Sequence, residues 1–456
     1  MATVTTTTTE TETSSDLSSQ VSQGKEVSRC TDALPLDDKE RMPPTMSLVL
    51  IHYFLVLTTV NLVIAIPTAN DYAERLGAGR LFAGVMLGAL PLVAIAGNVF
   101  NQKLFACLTF KQIWTLCCLV TVLGSVLYAL AGLMRFKWTL LISRSLMGFC
   151  CAFSLPGIYV SHTVGMKRRS EILFYFSACL TLGCAVGPAL AAMLEESMKY
   201  IKINNLVLDS DTVPGWFMAV LYLLFTAKLV VFFKDLPRDA LAAAPEGRTL
   251  RSPKSAGMGL SLEKGAAACA CFWQLMVASA VTTGVEVYTI NVTRQTLGWS
   301  TANAAWFVAL IMLISGVANL SLGKVVRVMA CTDMMGLLLG DIIACFSCLF
   351  LFNFDLNSPS LQVSLLCVGL VSVLVTQGLT RALALSICSK LVPTESINAI
   401  MTMATIFMSL GRGGGSIVCS VLDPDSFAPV LLALFTTTLL LSSATRKHMK
   451  PHIKAS

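Results

Sequence analysis

Four basic side chains interrupt long apolar runs of this chain, Arg144, Arg381, Arg412 and Lys228, and two acidic ones do the same, Glu286 and Asp341. Ionisable groups in such runs are costly and are kept where they face a polar cavity or one another. Arginine presents a planar fork of donors that matches carboxylate and phosphate geometry. Four positive charges against two negative ones leave a surplus. If they face one cavity, that surplus stabilises an anion and repels cations. The chemistry expected of this set is therefore binding and carriage of a small anion. Glu286 and Asp341 each either pair with an arginine or carry a coupling proton.

Each of these residues also has a plainer reading. Arg144, in Leu141-Ile142-Ser143-Arg144-Ser145-Leu146-Met147-Gly148, either contacts the cargo or snorkels to the interface. Arg412, in Leu410-Gly411-Arg412-Gly413-Gly414-Gly415-Ser416, stands among glycines that make a helix easy to unwind, so it serves substrate or gating, or else the segment packs as a bent helix. Arg381, near Gln377 and Thr380, either sets the positive field or snorkels. Lys228 lies close to the end of its run, and its long stem favours snorkelling. Gly183 and Gly187 lie on one helix face and let another backbone approach, while Pro188 permits a kink; the trio is either a conformational motif or ordinary close packing.

The elements that must hold these groups are about a dozen apolar runs, each near the roughly 20 residues needed to cross a bilayer as a helix. They lie at 46–67, 81–101, 112–133, 138–160, 171–194, 215–233, 266–290, 303–323, 332–353, 360–388, 397–421 and 427–445. The 456 residues are 55% hydrophobic and 13% charged, about half the charged share of soluble domains. The chain reads as an all-α membrane protein with twelve transmembrane helices. A β-barrel would show short alternating segments instead. The net charge of +7 does not point to nucleic acid, because basic residues collect in short loops, where orientation signals belong.

Of the 33 lysines and arginines, about 22 fall in the tails and even-numbered loops and about 7 in the odd-numbered loops, which puts both termini in the cytosol. The sequon Asn291-Val292-Thr293 then falls on the opposite side, after span 7, and Asn291 is a glycosylation candidate. Residues 1–45 read as a disordered cytosolic tail. Residues 235–264, rich in Pro, Gly and Arg, read as a cytosolic linker. It separates a six-helix half at 46–234 from another at 265–445, and 446–456 form a second cytosolic tail. The 16 cysteines lie mostly inside apolar runs, without zinc-ligand or disulfide spacing, and the four histidines are scattered, so neither a metal nor a cofactor is expected. No P-loop, GxSxG or HExxH segment suggests an enzyme. The expected partners are a small anionic solute and membrane lipid, with the chain a monomer.

Two six-helix halves around a central linker resemble the layout of the major facilitator superfamily, in which the substrate site lies near the midplane between the halves. More specifically, Ile66-Pro67-Thr68-Ala69-Asn70-Asp71-Tyr72 with Leu76-Gly77-Ala78, Gly187-Pro188-Ala189-Leu190-Ala191, Val213-Pro214-Gly215-Trp216-Phe217-Met218 and Leu297-Gly298-Trp299-Ser300-Thr301 resemble the transporter portion of SPX-MFS proteins, the vacuolar phosphate transporters of plants and algae. Arg144 with Gly148, and Arg412, also resemble arginines of that family. The resemblance covers about 46–445 and is patchy in the second half. It implies carriage of inorganic phosphate or a similar anion across an organelle membrane, vacuolar or lysosomal. Thr68, Asn70 and Asp71 would then shape one mouth of the cavity. Related lysosomal facilitator proteins associated with chloride conduction share broad parts of the pattern, and proton antiport of sugars, drugs or organic acids fits the Gly183-Gly187-Pro188 motif equally well. A non-transporting sensor is a further alternative. Three departures stand out. A 45-residue tail is too short for an SPX domain. Pro156-Gly157-Ile158-Tyr159 occupies the place of a basic pair. Asn101 stands where the superfamily often has an aspartate after span 2.

Overall fold

Apolar runs without internal breakers become helices because a bilayer offers no partner for a free peptide group, and a helix satisfies its own. The computed structural model describes residues 42–104, 107–153, 155–164, 166–197, 201–203, 206–209, 211–235, 262–328, 333–352, 358–391 and 397–447. The tail and most of the linker expected from the sequence lie outside these residues. The first half contains α1 (Thr45–Val63), α2 (Ala69–Arg75), α3 (Arg80–Leu104), α4 (Phe110–Met134), α5 (Lys137–Phe149), α6 (Leu155–Thr163), α7 (Met166–Ser197) and α8 (Val213–Phe232). A short antiparallel hairpin, β1 (Ile201–Ile203) and β2 (Leu206–Leu208), precedes α8, with Ile201 opposite Leu208. The second half contains α9 (Leu262–Gln295), α10 (Thr301–Val328), α11 (Asp333–Cys348), α12 (Pro359–Leu391), α13 (Ile397–Val421) and α14 (Pro424–Thr445).

Ten of these helices are long and apolar enough to cross a membrane. The fourth and eleventh expected spans are not among them. The fourth, expected to be continuous over 138–160, is broken into α5 and α6 around Cys150. The eleventh is α13, diluted by its arginine and glycines. Local signals set several boundaries. Thr109 and Gln112 form a reciprocal capping box at the start of α4, and Arg135 closes it with a positive φ of 50°. Pro214 and Pro424 stand in the first turns of α8 and α14, where a missing amide hydrogen costs nothing.

The outer surface is apolar, as lipid requires: Val231, Phe346 and Leu440 are each more than 60% exposed. Inside, burial is uneven. One buried cluster on the Asp71 side joins both halves, with Val63, Tyr72, Met86 and Tyr128 from the first and Val285, Tyr288, Phe427 and Leu431 from the second. Tyr288 and Phe427 stack at 3.7 Å. On the linker side each half has its own cluster. The first is aromatic, with Phe54, Trp114, Phe225 and Phe233. The second is smaller in grain, with Ala267, Cys271, Leu275 and Leu383. The halves are thus packed together at the Asp71 side and separately cored at the linker side.

Helix α13 forms much of the seam, packing on α9 of its own half and on α3 of the other. Its glycines explain how. A Cβ at Gly411 would collide with the Met276 carbonyl, one at Gly415 with the Ala280 carbonyl, and one at Gly413 with Leu92. The glycine run does not unwind the helix, which is continuous from Ile397 to Val421. It brings backbones together instead. The same holds in α7, where a Cβ at Gly183 would lie 2.6 Å from the Cβ of Thr59 and one at Gly187 would collide with Val63, so both glycines seat α7 on α1. Pro188 lies within α7.

Candidate functional site

The intramembrane ionisable groups fall into three places. In the first half, Arg144 is 2% exposed. Gly148, one turn on, lies against the backbone of Leu90, too close for a Cβ. That contact pins α5 to α3 and fixes its rotation. The guanidinium donates from Nη1 to the carbonyl of Asn61 at 2.9 Å and lies 5.4 Å from the ring centre of Tyr128. Its Nε and Nη2 have no partner. The Tyr128 hydroxyl and the Thr68 hydroxyl are buried without partners as well. Tyr128 is held by its neighbour: the Tyr72 hydroxyl donates to the Tyr128 carbonyl at 2.9 Å and accepts from the Gly132 amide at 2.8 Å. Arg144 lies over the Tyr128 ring and Thr68 lies beside the Tyr128 hydroxyl, so both stand around a residue that looks like ordinary aromatic packing in the sequence.

The second place lies between the halves. Arg412 of α13 donates from Nη2 to the sulfur of Cys184 of α7 at 3.6 Å, a contact across the seam. Arg381 of α12 donates from Nη2 to the Thr282 hydroxyl of α9 at 2.6 Å, and its buried Nε has no partner. Glu286, one turn beyond Thr282 on α9, is 1% exposed. Neither carboxylate oxygen accepts from an N–H or O–H group. The fields of Arg412 and Arg381 act on it, and the Cys184 thiol beside it is a weak donor. Among the described residues no carboxylate lies within ion-pair distance of Arg144, Arg381 or Arg412. Arg381, Arg412 and Glu286 are thus brought together. Arg144 belongs to a separate group, acted on by Tyr128 and not by Glu286.

Asp341 stands apart from all the arginines. It is 2% exposed on α11 and accepts from Gln274 Nε2 of α9 at 2.9 Å. Lys228 is not in the cavity either: it is exposed on α8, with its ammonium 5.8 Å from the ring centre of Tyr53. The expected surplus of four to two becomes three to one around the seam and Arg144.

At the Asp71 side, two of the three residues expected to shape a mouth, Asn70 and Asp71, form its closure. Asn70 donates to the Asn291 side-chain oxygen at 2.9 Å. Arg294 bonds Asp71 at 2.7 Å, and the Thr301 hydroxyl reaches the other Asp71 oxygen at 3.4 Å. Trp306 donates to Glu196 at 3.3 Å, again between the halves. Beside them Arg75 pairs with Asp209 and, at 3.2 Å, with Asp211. The glycosylation candidate is corrected here. Helix α9 runs to Gln295, so the sequon is not in a loop. Asn291 is 8% exposed and its amide also donates to the Cys419 carbonyl at 3.5 Å. Glycan transfer needs an exposed, extended acceptor, and this asparagine is buried in a helix. At the other face, Asn101 is buried and accepts from the Cys117 thiol at 3.7 Å rather than forming a charged latch.

Among solved structures, this fold resembles a bacterial homolog of the human lysosomal transporter Spinster in an inward-facing and occupied conformation. The TM-score is 0.63 at 13% identity, over 88% of this chain and 93% of that one. It also resembles a peptide transporter, POT, in complex with sulfate, with a TM-score of 0.63 at 14% identity over 90% and 96% of the two chains. In sequence it is similar to two SPX domain-containing membrane proteins of Arabidopsis thaliana. One is 36% identical over 42% of this chain and 27% of the relative, the other 34% identical over 48% and 31%. One from Oryza sativa subsp. indica is 32% identical over 46% of this chain and 30% of its own. The matched stretch is less than a third of each of these relatives. Residues 49–416 match the family model of the Major Facilitator Superfamily, and this multi-pass integral membrane chain belongs to that superfamily.

Proposed function

We propose that the chain carries a small inorganic anion, with phosphate the first candidate, across a vacuolar or lysosomal membrane by alternating access between its two halves. One observation carries the reading: three guanidinium groups, Arg144, Arg381 and Arg412, are held inside the protein without a carboxylate at ion-pair distance among the described residues. A buried charge left without a counter-ion is costly. Its retention makes sense where a mobile anion supplies the missing charge. Arg412 and Arg381 would grip the cargo at the seam, and Arg144 would hold it at the Tyr128 end of the path. Glu286 keeps the seam from being so positive that the anion cannot leave.

Phosphate is favoured by the similarity to SPX domain-containing membrane proteins. The closed Asp71 side and the separately cored linker side suit a state open toward the linker, and the bias of basic residues supports a cytosolic linker and cytosolic termini. The chain acts as a monomer in this reading.

The test is uptake by purified protein in proteoliposomes, with labelled phosphate, sulfate, chloride and an organic anion, at imposed pH gradients. Arg144→Ala and Arg412→Ala should each lower anion uptake by about tenfold or more, since hydrogen bonds to charged groups are worth about 1.5–3 kcal/mol. Wild-type rates in both variants would remove the site. Uptake confined to neutral or cationic solutes would remove the anion, and would favour proton antiport of other cargo.

A further inference from the structure

The group at the seam contains an unusual pairing of unmet demands. Arg412 satisfies a charged donor with a thiol, a weak acceptor. Arg381 leaves its Nε unpartnered. Beside them Glu286, almost wholly buried, accepts from no N–H or O–H group and has only the weakly donating Cys184 thiol beside it. Strong donors and strong acceptors face the same small region, yet they do not satisfy each other. The arginines and Glu286 are near enough to act on one another electrostatically but are not in hydrogen-bonding geometry. Thr282 takes one donor of Arg381 and Cys184 one of Arg412.

A ligand that satisfies this group must do two things. It must offer negatively charged oxygens to the guanidiniums, and it must donate at least one hydrogen bond to Glu286. Chloride, nitrate and sulfate carry no hydrogen at neutral pH. Placed here they set a bare anion against a bare carboxylate. Mono- and dihydrogen phosphate carry both features on one tetrahedral centre. Their ionised oxygens suit the arginine forks, and their P–OH donates to a carboxylate oxygen. The same total of protons results whether the shared proton rests on the phosphate or on Glu286. Sulfate can reach that state only by drawing a proton from water.

We propose that Glu286 is the specificity residue of the seam site and selects hydroxyl-bearing oxyanions over anions that lack a donor. Cys184 keeps the place at Arg412 that a cargo oxygen takes. This inference rests on the anion-carrier reading above and adds the class of anion to it. Discrimination of this type is large, because the wrong ligand leaves a buried polar group unpaired.

The experiment measures thermal stabilisation of the purified full chain, and inhibition of labelled phosphate uptake, by phosphate, arsenate, sulfate and chloride at neutral pH. Arsenate keeps the hydroxyl and should act like phosphate. Sulfate and chloride should be at least about tenfold weaker. Glu286→Gln offers an amide donor in place of one acceptor, and should bring the phosphate-to-sulfate ratio down about tenfold or more, with sulfate gaining. Glu286→Asp keeps an acceptor and should retain the preference at lower affinity, which separates selection from simple misfolding. Arg412→Ala should weaken all anions alike. Equal action of sulfate and phosphate on the wild-type protein overturns the proposal, as does an unchanged ratio in Glu286→Gln. If anions bind in an Arg412-dependent way without preference, only this inference fails. If no anion binds, the carrier reading fails with it.

Discussion

Asn70 of α2 and Asn291 of α9 share a hydrogen bond of 2.9 Å although 221 residues separate them in the chain. It joins the first half to the second beside the Asp71–Arg294 pair. Together with the buried cluster beneath, these contacts make the Asp71 side the closed end of the molecule.

That closure can be loosened without touching the arginines at the seam. Exposed ion pairs are worth about 0.2–1 kcal/mol. In a background cleared of reactive native cysteines, Asp71→Ala with Arg294→Ala should raise by about two- to fivefold the rate at which a cysteine in place of the buried Val292 is labelled from that side. Unchanged labelling would mean that apolar packing alone holds the end shut.

Asp211 lies before α8, outside the spanning helices. Burial, then the charge of Asp209, pushes its carboxyl up from 3.8 to about 6, against the opposing pull of Arg75. The folded chain therefore holds that proton more tightly than the unfolded chain. Stability falls as pH rises from 3.8 to about 6, because ionising Asp211 costs more in the folded state. Asp211→Asn should raise the melting temperature at neutral pH, by an amount corresponding to about 2 kcal/mol, and the gain should vanish under acid conditions. A gain independent of pH would show that the carboxyl's charge is not its cause.

The glycines of α13 differ in their surroundings. Gly411→Ala drives a methyl into the Met276 carbonyl and should cost about 1–3 kcal/mol, read as a lower melting temperature. Gly414 has nothing within 4 Å of its would-be Cβ, and Gly414→Ala should be neutral or stabilise by about 0.5–1 kcal/mol. Equal effects at the two positions would contradict the packing of α13 on α9.

Asn291 is expected to carry no glycan. Treatment of protein from a eukaryotic host with an asparagine-specific glycosidase should leave its gel mobility unchanged, and Asn291→Gln should lower stability rather than mass. A mobility shift that disappears in Asn291→Gln would place that residue outside the membrane.

The sequence revealed the helices readily, because an apolar run of bilayer length has few other uses, and it revealed Arg144, Arg381 and Arg412 because a charge in such a run is conspicuous. It did not reveal how each helix is rotated. In a soluble protein, polar residues mark the outer face. Here the lipid-facing and core-facing sides are both apolar, so Lys228 could be counted with the inward groups although it is turned outward. The same blindness hid Tyr128 and Cys184, which look like ordinary packing residues until the arginines beside them are located. The break between α5 and α6 did have a local signal, Pro156-Gly157 at the start of α6, but the run is apolar enough on either side to read as one span. Asn291 shows another limit: a sequon marks a possible acceptor, but only the length of α9 reveals that it lies within a helix.

Where α13 meets α3, a Cβ on Gly88 would stand 2.6 Å from the carbonyl of Gly413. The two main chains touch there, and the side chains of Leu92 and Ile417 pack over the glycines of the facing helix. Only small relief separates the two backbones at this joint. In the proposed carrier, bulk introduced at Gly88 would wedge this joint while leaving Arg144, Arg381 and Arg412 in place.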